Sequence, residues 1–503
     1  MTRWNDERGS ITAFVAVVAT ALVMVAGMAY DGGQVIHAHN AARNDAEQAA
    51  RAGAQEIDLT HLRQTNEPRL DPGSAETAAL DYLARVEGEG ALYVKTRGDI
   101  VEDVQLRIFE PPRFFEAFLR GRLATEAPDL TARICGICPV AYQMSSTHAL
   151  EQALGIDITP TIRALRRLLY CGEWIESHAL HVFLLHAPDF LGYDGAIEMA
   201  ADHPDVVETG LRLKKAGNDL MRVVGGRSIH PVNVRVGGFY RMPLAVELQT
   251  LRPTLVRALE DAVETVRLVA GFDVPDFEQP YEYVALRAPE GYPIEVGSVV
   301  TSSGRSFEVR DFATHVEELH VAHSNALHAR LDGGDRGPYV VGPLARYTLN
   351  HDRLSPLARQ AAADAGLGDT CRNPFRSIVV RAVEIVEAVS EALRIVDGWT
   401  DGAAPSVAVP PRAGEGFGAS EAPRGVLFHR YVLDADGLIR DAQIVPPTSQ
   451  NQAGVEADLR RLVEGWTGLD DHALQHRCEQ AIRNYDPCIS CATHFLDLTV
   501  DRR

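Results

Sequence analysis

Lysine is almost missing from this chain of 503 residues. Lys95, Lys214 and Lys215 are the only lysines, and arginine carries the rest of the positive charge. That bias fits genomic base composition better than a functional demand. Basic excess is missing too: the formal net charge is −20, which argues against nucleic acid as a partner. Seven cysteines over this length are too few for a disulfide scaffold. No internal repeat is visible. Gly88 and Gly90 do not form a Gly-x-Gly-x-x-Gly turn leading into a helix, so the chain carries no dinucleotide fingerprint and shows no flavin or nicotinamide site.

Charge disappears altogether over one stretch. Ile11 to Tyr30 reads ITAFVAVVATALVMVAGMAY, twenty residues without a charge. That is long enough to span a bilayer as a helix, at about 1.5 Å per residue. Arg3 and Arg8 precede it, with Asp6 and Glu7 diluting the positive flank. A buried core helix and a cleaved signal peptide, with small residues from Ala26 to Ala29, are the other readings. Gln34 to about Glu56 continues as an alanine-rich helical pattern.

A second character starts near Arg85. The apolar fraction, 46%, is ordinary, and the length allows two or three domains with a sizeable core. Alternation before and after Arg97-Gly98-Asp99 predicts a two-stranded hairpin, stopped by Pro111-Pro112. Phe114 to Leu123 reads as a helix with Phe115, Phe118 and Leu119 on one face. Further helices are expected at 141–154, 161–186, 200–224, 243–271, 355–363 and 377–396. Strand character falls at 281–309 and 425–445, and 403–418 reads as a loop rich in Pro, Gly and Ala. The fold class is therefore mainly α with small β pieces.

Two Cys-x-x-Cys pairs lie near opposite ends of this second region. The first is Arg133-Ile134-Cys135-Gly136-Ile137-Cys138-Pro139, and the second is Asp486-Pro487-Cys488-Ile489-Ser490-Cys491-Ala492-Thr493-His494. Two intervening residues let both sulfurs of a pair face one ion. The pairs are too far apart for a local zinc knuckle, so the fold must bring the chain ends together. Pro139 suits the first turn of a helix, whose N-terminus would favour the Cys135 and Cys138 thiolates. Cys171, Cys371 and Cys478 read as buried small hydrophobes. His178, His181, His186 and His230 read as packing or supporting residues. A structural zinc site would use four cysteines as well.

Together the two signatures resemble the large subunit of nickel–iron hydrogenases, over about Leu83 to Arg503. Arg85-Val86-Glu87-Gly88-Glu89-Gly90, Cys138-Pro139-Val140-Ala141-Tyr142 and Ser490-Cys491-Ala492-Thr493-His494 are most similar to the cytoplasmic NADP-linked bidirectional branch, the sulfhydrogenases. Other branches carry histidine where this chain has Glu89 and Tyr142. The resemblance implies a long-helix bundle around a deep metal centre. It implies nickel on Cys135, Cys138, Cys488 and Cys491, with Cys138 and Cys491 bridging to an iron that carries carbon monoxide and cyanide. It implies that Cys488 takes a proton, Glu87 relays it, and Arg424 overhangs the metals. Asp486 and His230 would lie beside the site without binding metal. Glu116, His494 and the carbonyl near Gln443 would hold a separate magnesium or iron ion. The implied partners are a small subunit with iron–sulfur clusters, diaphorase (flavin, NAD(P)) and iron–sulfur subunits, H2, and an endopeptidase that removes Phe495–Arg503 after nickel insertion.

The N-terminal segment resembles TadE/TadG-like Flp pilus-assembly proteins, on Arg8-Gly9-Ser10, the apolar run, Asp31-Gly32-Gly33 and the alanine-rich stretch from Ala41 to Ala54. The expected division is residues 1–83, with a transmembrane helix at about 11–30, and residues 84–503. The two resemblances disagree on location. The hydrogenase domain is expected in the cytoplasm, and the chain would be membrane-anchored if the N-terminal segment is genuine. The alternative function is a membrane-anchored Flp pilus-assembly-like protein with a fused hydrogenase domain, active or inactive.

Overall fold

The computed structural model describes residues 90–108, 114–332, 338–487 and 497–502. The chain divides into Met1–Gly88 and Glu89–Arg503, and every described residue belongs to the second unit.

Strands β1 (Gly90–Arg97) and β2 (Ile100–Ile108) form the expected hairpin, with Gly98 at φ 57° in its turn. Helix α1 (Pro139–Leu154) starts at Cys138, with Pro139 in its first turn, and stops at Gly155 in the left-handed region. Helix α2 (Pro160–Leu180) is capped by the Thr159 side chain, which accepts from Ile162 N. It continues into a π-helical turn at His181–His186. Helices α3 (Pro204–Gly225), α4 (Arg252–Ala270) and α5 (Ser377–Asp397) complete a long-helix bundle with α2. Hairpin β3–β4 (Val316–Val321, Ser324–Leu331) precedes α5 in sequence. After α5 come the antiparallel sheet β5 (Gly414–Ala422), β6 (Gly425–Leu433) and β7 (Ile439–Val445), then α6 (Pro447–Glu464) and α7 (Asp471–Arg483). Strand β8 (Asp497–Arg502) pairs in parallel with β1, from Ala91↔Asp497 to Thr96↔Arg502.

The helical periodicity has a plain physical outcome. Leu165, Leu168, Leu169, Trp174 and Ile175 of α2, and Ile378, Val383, Ile385 and Val386 of α5, are buried in one core. Each such side chain contributes about 1.5–3 kcal/mol on leaving water. Cys171, Cys371 and Cys478 are buried and free, as expected, and burial pushes each thiol up.

Two expectations need correction. The fold class included a leading transmembrane helix. Among the described residues no helix is long and apolar enough to cross a membrane, and Ile11–Tyr30 lies outside them. The second concerns 403–418, read as a loop, where β5 already begins at Gly414. Gly414, Gly416 and Gly418 alternate along β5, all on the face toward α1. A Cβ on Gly416 would run into Ala149 O and Ala153 N, and one on Gly418 into Ser145 O and Ala149 N. These glycines permit contact between a strand and a helix backbone. Gly416→Ala is expected to destabilise the domain by about 3 kcal/mol or more, since neither backbone can yield cheaply. A denaturant titration of the purified protein measures it, and an unchanged midpoint would contradict the packing.

Candidate metal centre

Cys135 follows a single 3-10 turn (Ala132–Ile134) and is extended, while Cys138 is the residue before α1. Residues 135–138 bring the two sulfurs 2.7 Å apart, well beyond a disulfide bond of about 2.05 Å. Cys138 N donates to Cys135 Sγ at 3.2 Å. His230, held at φ 49°, hydrogen-bonds through Nδ1 to Ala132 O at 2.9 Å and supports the turn from outside.

The first turn of α1 also serves a carboxylate. Pro139 has no N–H, and the next two amides, Val140 N and Ala141 N, donate to the Glu173 carboxyl at 2.5 and 3.0 Å. Glu173 comes from α2 and is fully buried. Burial pushes its pKa well up, against the pull of those two amides. Three residues on, Glu176 accepts from Lys214 Nζ at 3.1 Å. Burial raises it to about 7, and Lys214 opposes the rise.

Arg424 brings positive charge to the sulfurs. Its Nη1 lies 3.5 Å from Cys138 Sγ and 3.9 Å from Cys135 Sγ. Its other nitrogens donate to Asp486, from Nε to the backbone oxygen at 2.5 Å and from Nη2 to Oδ1 at 3.1 Å. Arg424 sits in the two-residue turn between β5 and β6, closed by the Ala422↔Gly425 pair. Arg346 holds that turn, donating to Ala422 O at 2.7 Å and Pro423 O at 2.8 Å. Arg346 is itself buried between Glu384, at 2.8 Å to each oxygen, and Glu421 at 3.1 Å, with Trp174 under its guanidinium.

These two acids share one arginine unequally. Burial pushes Glu384 up, but the charge and hydrogen bonds of Arg346, with His178 3.0 Å away, win and hold it at about 2. Glu421 receives less help, and burial leaves it at about 7. Its folded pKa is thus raised, so its stabilising contribution is complete below an unfolded carboxyl pKa near 4.5 and is lost as pH rises through about 7. The stability of wild type relative to Glu421→Gln should therefore fall between pH 5 and pH 8. Parallel melts across that range test this, and a flat difference would contradict it.

The segment leading to Cys488 is pinned just as closely. Asp486 has φ 48°, an uncommon conformation for a residue other than glycine, and it precedes Pro487. Such backbone persists where its surroundings over-determine it. His181 Nε2 donates to Arg483 O at 2.8 Å, and His186 Nε2 to Asn484 Oδ1 at 3.0 Å. Ser377 and Arg381 both donate to Asn484 O, at 2.9 and 3.1 Å. Tyr485 donates to Asp458 of α6 at 2.5 Å. Burial pushes His181 and His186 well down, which keeps both rings neutral. The histidines thus act as supports, as the sequence reading expected.

Of the predicted site residues, the structure brings Cys135, Cys138, Arg424 and Asp486 into one cluster, with His230 bonded to the turn that precedes Cys135. Glu116 accepts from Ile444 N at 2.8 Å, which puts it beside the neighbouring Gln443 on β7. Glu87, Cys488, Cys491 and His494 lie outside the described residues. Sequence reasoning missed Glu173, Glu176, Arg346, Glu384 and Glu421. Glu173 and Glu176 fall on the apolar stripe of α2, and that misplacement was the available signal.

The cluster defines a class: two soft sulfur donors converge and a buried arginine faces them. Such a donor set fits a soft transition metal and not a hard cation. Comparison with known proteins makes the class specific. The family model for nickel-dependent hydrogenase matches residues 113–208 and 341–494, and the Flp pilus-assembly TadE/G-like model matches residues 9–56. Sulfhydrogenase 1 subunit alpha of Pyrococcus furiosus is 34% identical over 83% of this chain and 98% of its own length. The NAD-reducing hydrogenase HoxS subunit beta of Cupriavidus necator is 30% identical over 83% of this chain and 94% of its own. A crystal structure of a NAD+-reducing nickel–iron hydrogenase in the H2-reduced state superposes with a TM-score of 0.71 at 26% identity. That match covers 81% of this chain and 98% of the other.

The chain belongs to the nickel-dependent hydrogenase family. It is a catalytic subunit that acts reversibly on H2 and transfers electrons to a partner redox subunit. Membership implies a metal active site of the family's type and a multi-subunit complex.

Proposed function

We propose that Cys135, Cys138, Cys488 and Cys491 would hold a nickel–iron centre, with carbon monoxide and cyanide on the iron, and that heterolytic cleavage of H2 takes place there. The convergence of Arg424 on the Cys135 and Cys138 sulfurs carries the reading. The metals, when bound, supply a redox-active Lewis-acidic position at which H2 is polarised. The residues of this chain do the rest. Arg424 presents a permanent charge that Asp486 orients, and its planar fork fixes the direction of that charge. A Cys488 thiolate accepts the proton, and Glu87 passes it outward. Glu116, Gln443 through its carbonyl, and His494 hold a magnesium or iron ion apart from the centre. We place the division of the chain at residues 83 and 84.

The electrons leave through a small subunit with iron–sulfur clusters and reach NAD(P)+ on a flavin-bearing diaphorase subunit. The balance is H2 + NAD(P)+ → NAD(P)H + H+. This acceptor is supported by the identity to the sulfhydrogenase and NAD-reducing relatives. The hydrogenase domain works in the cytoplasm, where cysteine pairs stay reduced. An endopeptidase removes Phe495–Arg503, and with it strand β8 from the edge of β1. The complex purified from its host should reduce NAD+ or NADP+ under H2, with its subunit ending at His494 by intact mass. A complex that reduces neither nucleotide, while reducing an artificial dye under H2, would sink the proposed acceptor and leave the hydrogenase reading intact.

A further inference from the structure

A second group of metal-binding side chains lies outside the sulfur cluster. His323 occupies the tip of the β3–β4 hairpin, His328 lies on β4, and Glu456 lies on α6. One ligand atom from each lies within 4.8 Å of the others. His323 Nε2 is 2.8 Å from Glu456 Oε1, and His328 Nδ1 is 3.9 Å from Glu456 Oε2, beyond hydrogen-bond reach. His328 is 1% exposed, and its Nε2 is buried without a hydrogen-bond partner. The two rings stand nearly perpendicular, at 87°, with centroids 5.5 Å apart. The carboxylate is fixed from a third direction, because Leu106 N of β2 donates to Glu456 Oε1 at 2.9 Å.

A simple buried hydrogen bond explains His323 and Glu456 but not His328. One ion held by His323, Glu456 and a ring nitrogen of His328 would draw all three side chains into one site. Metal–nitrogen and metal–oxygen bonds of about 2.0–2.2 Å put tetrahedral ligand atoms about 3.3–3.5 Å apart, inside the range seen here. Two imidazoles and a carboxylate suit a first-row divalent ion of the zinc class better than calcium or magnesium.

We propose that His323, His328 and Glu456 bind one zinc-class divalent ion. Three protein ligands leave a fourth position for water, and the ion ties the hairpin tip to α6 and, through Leu106, to β2. Helix α6 also carries Asn451, which accepts from Val341 N at 2.9 Å, and Gln450, which donates to Val426 O at 2.6 Å. Both contacts flank the turn that carries Arg424, so the ion steadies the scaffold of the centre without touching it.

The test uses the untagged holoenzyme, dialysed against Zn2+ or Co2+ and analysed by elemental mass spectrometry. Wild type should hold one more equivalent of the added ion than His323→Ala, His328→Ala or Glu456→Gln, with nickel and iron per chain unchanged. Bound cobalt should show imidazole and not thiolate absorption, and should raise the melting midpoint of wild type only. Equal counts in wild type and variants overturn the proposal, as does a cobalt spectrum of thiolate type. If His328→Ala does not fold, His323→Gln carries the same comparison, since that ring is 21% exposed and less bound to the core. The nickel and iron counts report separately on the sulfur centre, so either site can fail alone.

Discussion

Arg424→Gln is expected to lower the rate of H2 oxidation by about two to three orders of magnitude, the usual effect of removing a preorganised charge from a reacting centre. The guanidinium is 2% exposed and lies between Asp486 and the sulfurs of Cys135 and Cys138. Glutamine keeps an amide donor but is shorter and loses the charge. Arg424→Lys should keep the charge and recover part of the rate, because one ammonium cannot replace the fork to Asp486. The assay is dye reduction under H2, normalised to nickel per chain. If the loss tracks nickel content, Arg424 supports the site and does not act in the reaction. An unchanged rate per nickel would contradict its proposed role.

Arg346→Met is expected to have the largest effect on stability, about 3–5 kcal/mol, the common cost of leaving a buried charge uncompensated. Glu384 and Glu421 would both lose their cation, and neither has access to water. The turn that carries Arg424 would lose the donors to Ala422 O and Pro423 O as well. Thermal unfolding reads the first effect and nickel content the second. Adding Glu384→Gln to Arg346→Met should cost less than the sum of the two single changes, since one partner already lacks the other. Additive costs would show that the pair is not coupled.

The sequence was most legible where periodicity and burial agree. Helices α2 and α5 carry apolar residues on a regular face, and the β1–β2 hairpin is marked by alternation on each side of Gly98. It was least legible where composition had two meanings. The glycines of β5 look like loop residues, but they are small because α1 presses on them. Helix α6 buries Gln450, Asn451 and Gln452, so its polar face resembles an exposed one and the apolar pattern that marks other helices is weak. The same holds in the site. Cys135, Cys138, Arg424 and Asp486 stood out through their motifs. Arg346, Glu384 and Glu421 did not, because a single charged residue is read as exposed by default. Only the fold shows that they face one another inside it. The helix start at Cys138 is legible in the sequence, but Glu173, which takes the Val140 and Ala141 amides, is not, because it arrives from another element.

The central claim is that this chain cleaves H2 heterolytically at a four-cysteine metal centre. The direct measurement is isotope exchange between D2 gas and H2O, followed by mass spectrometry of the gas phase. It needs no electron acceptor, so it does not depend on the identity of the partner subunits. The account predicts steady HD release by the nickel-loaded wild-type subunit in its complex, and none from Cys488→Ser. A wild-type preparation with a full complement of nickel and iron that forms no HD would contradict it.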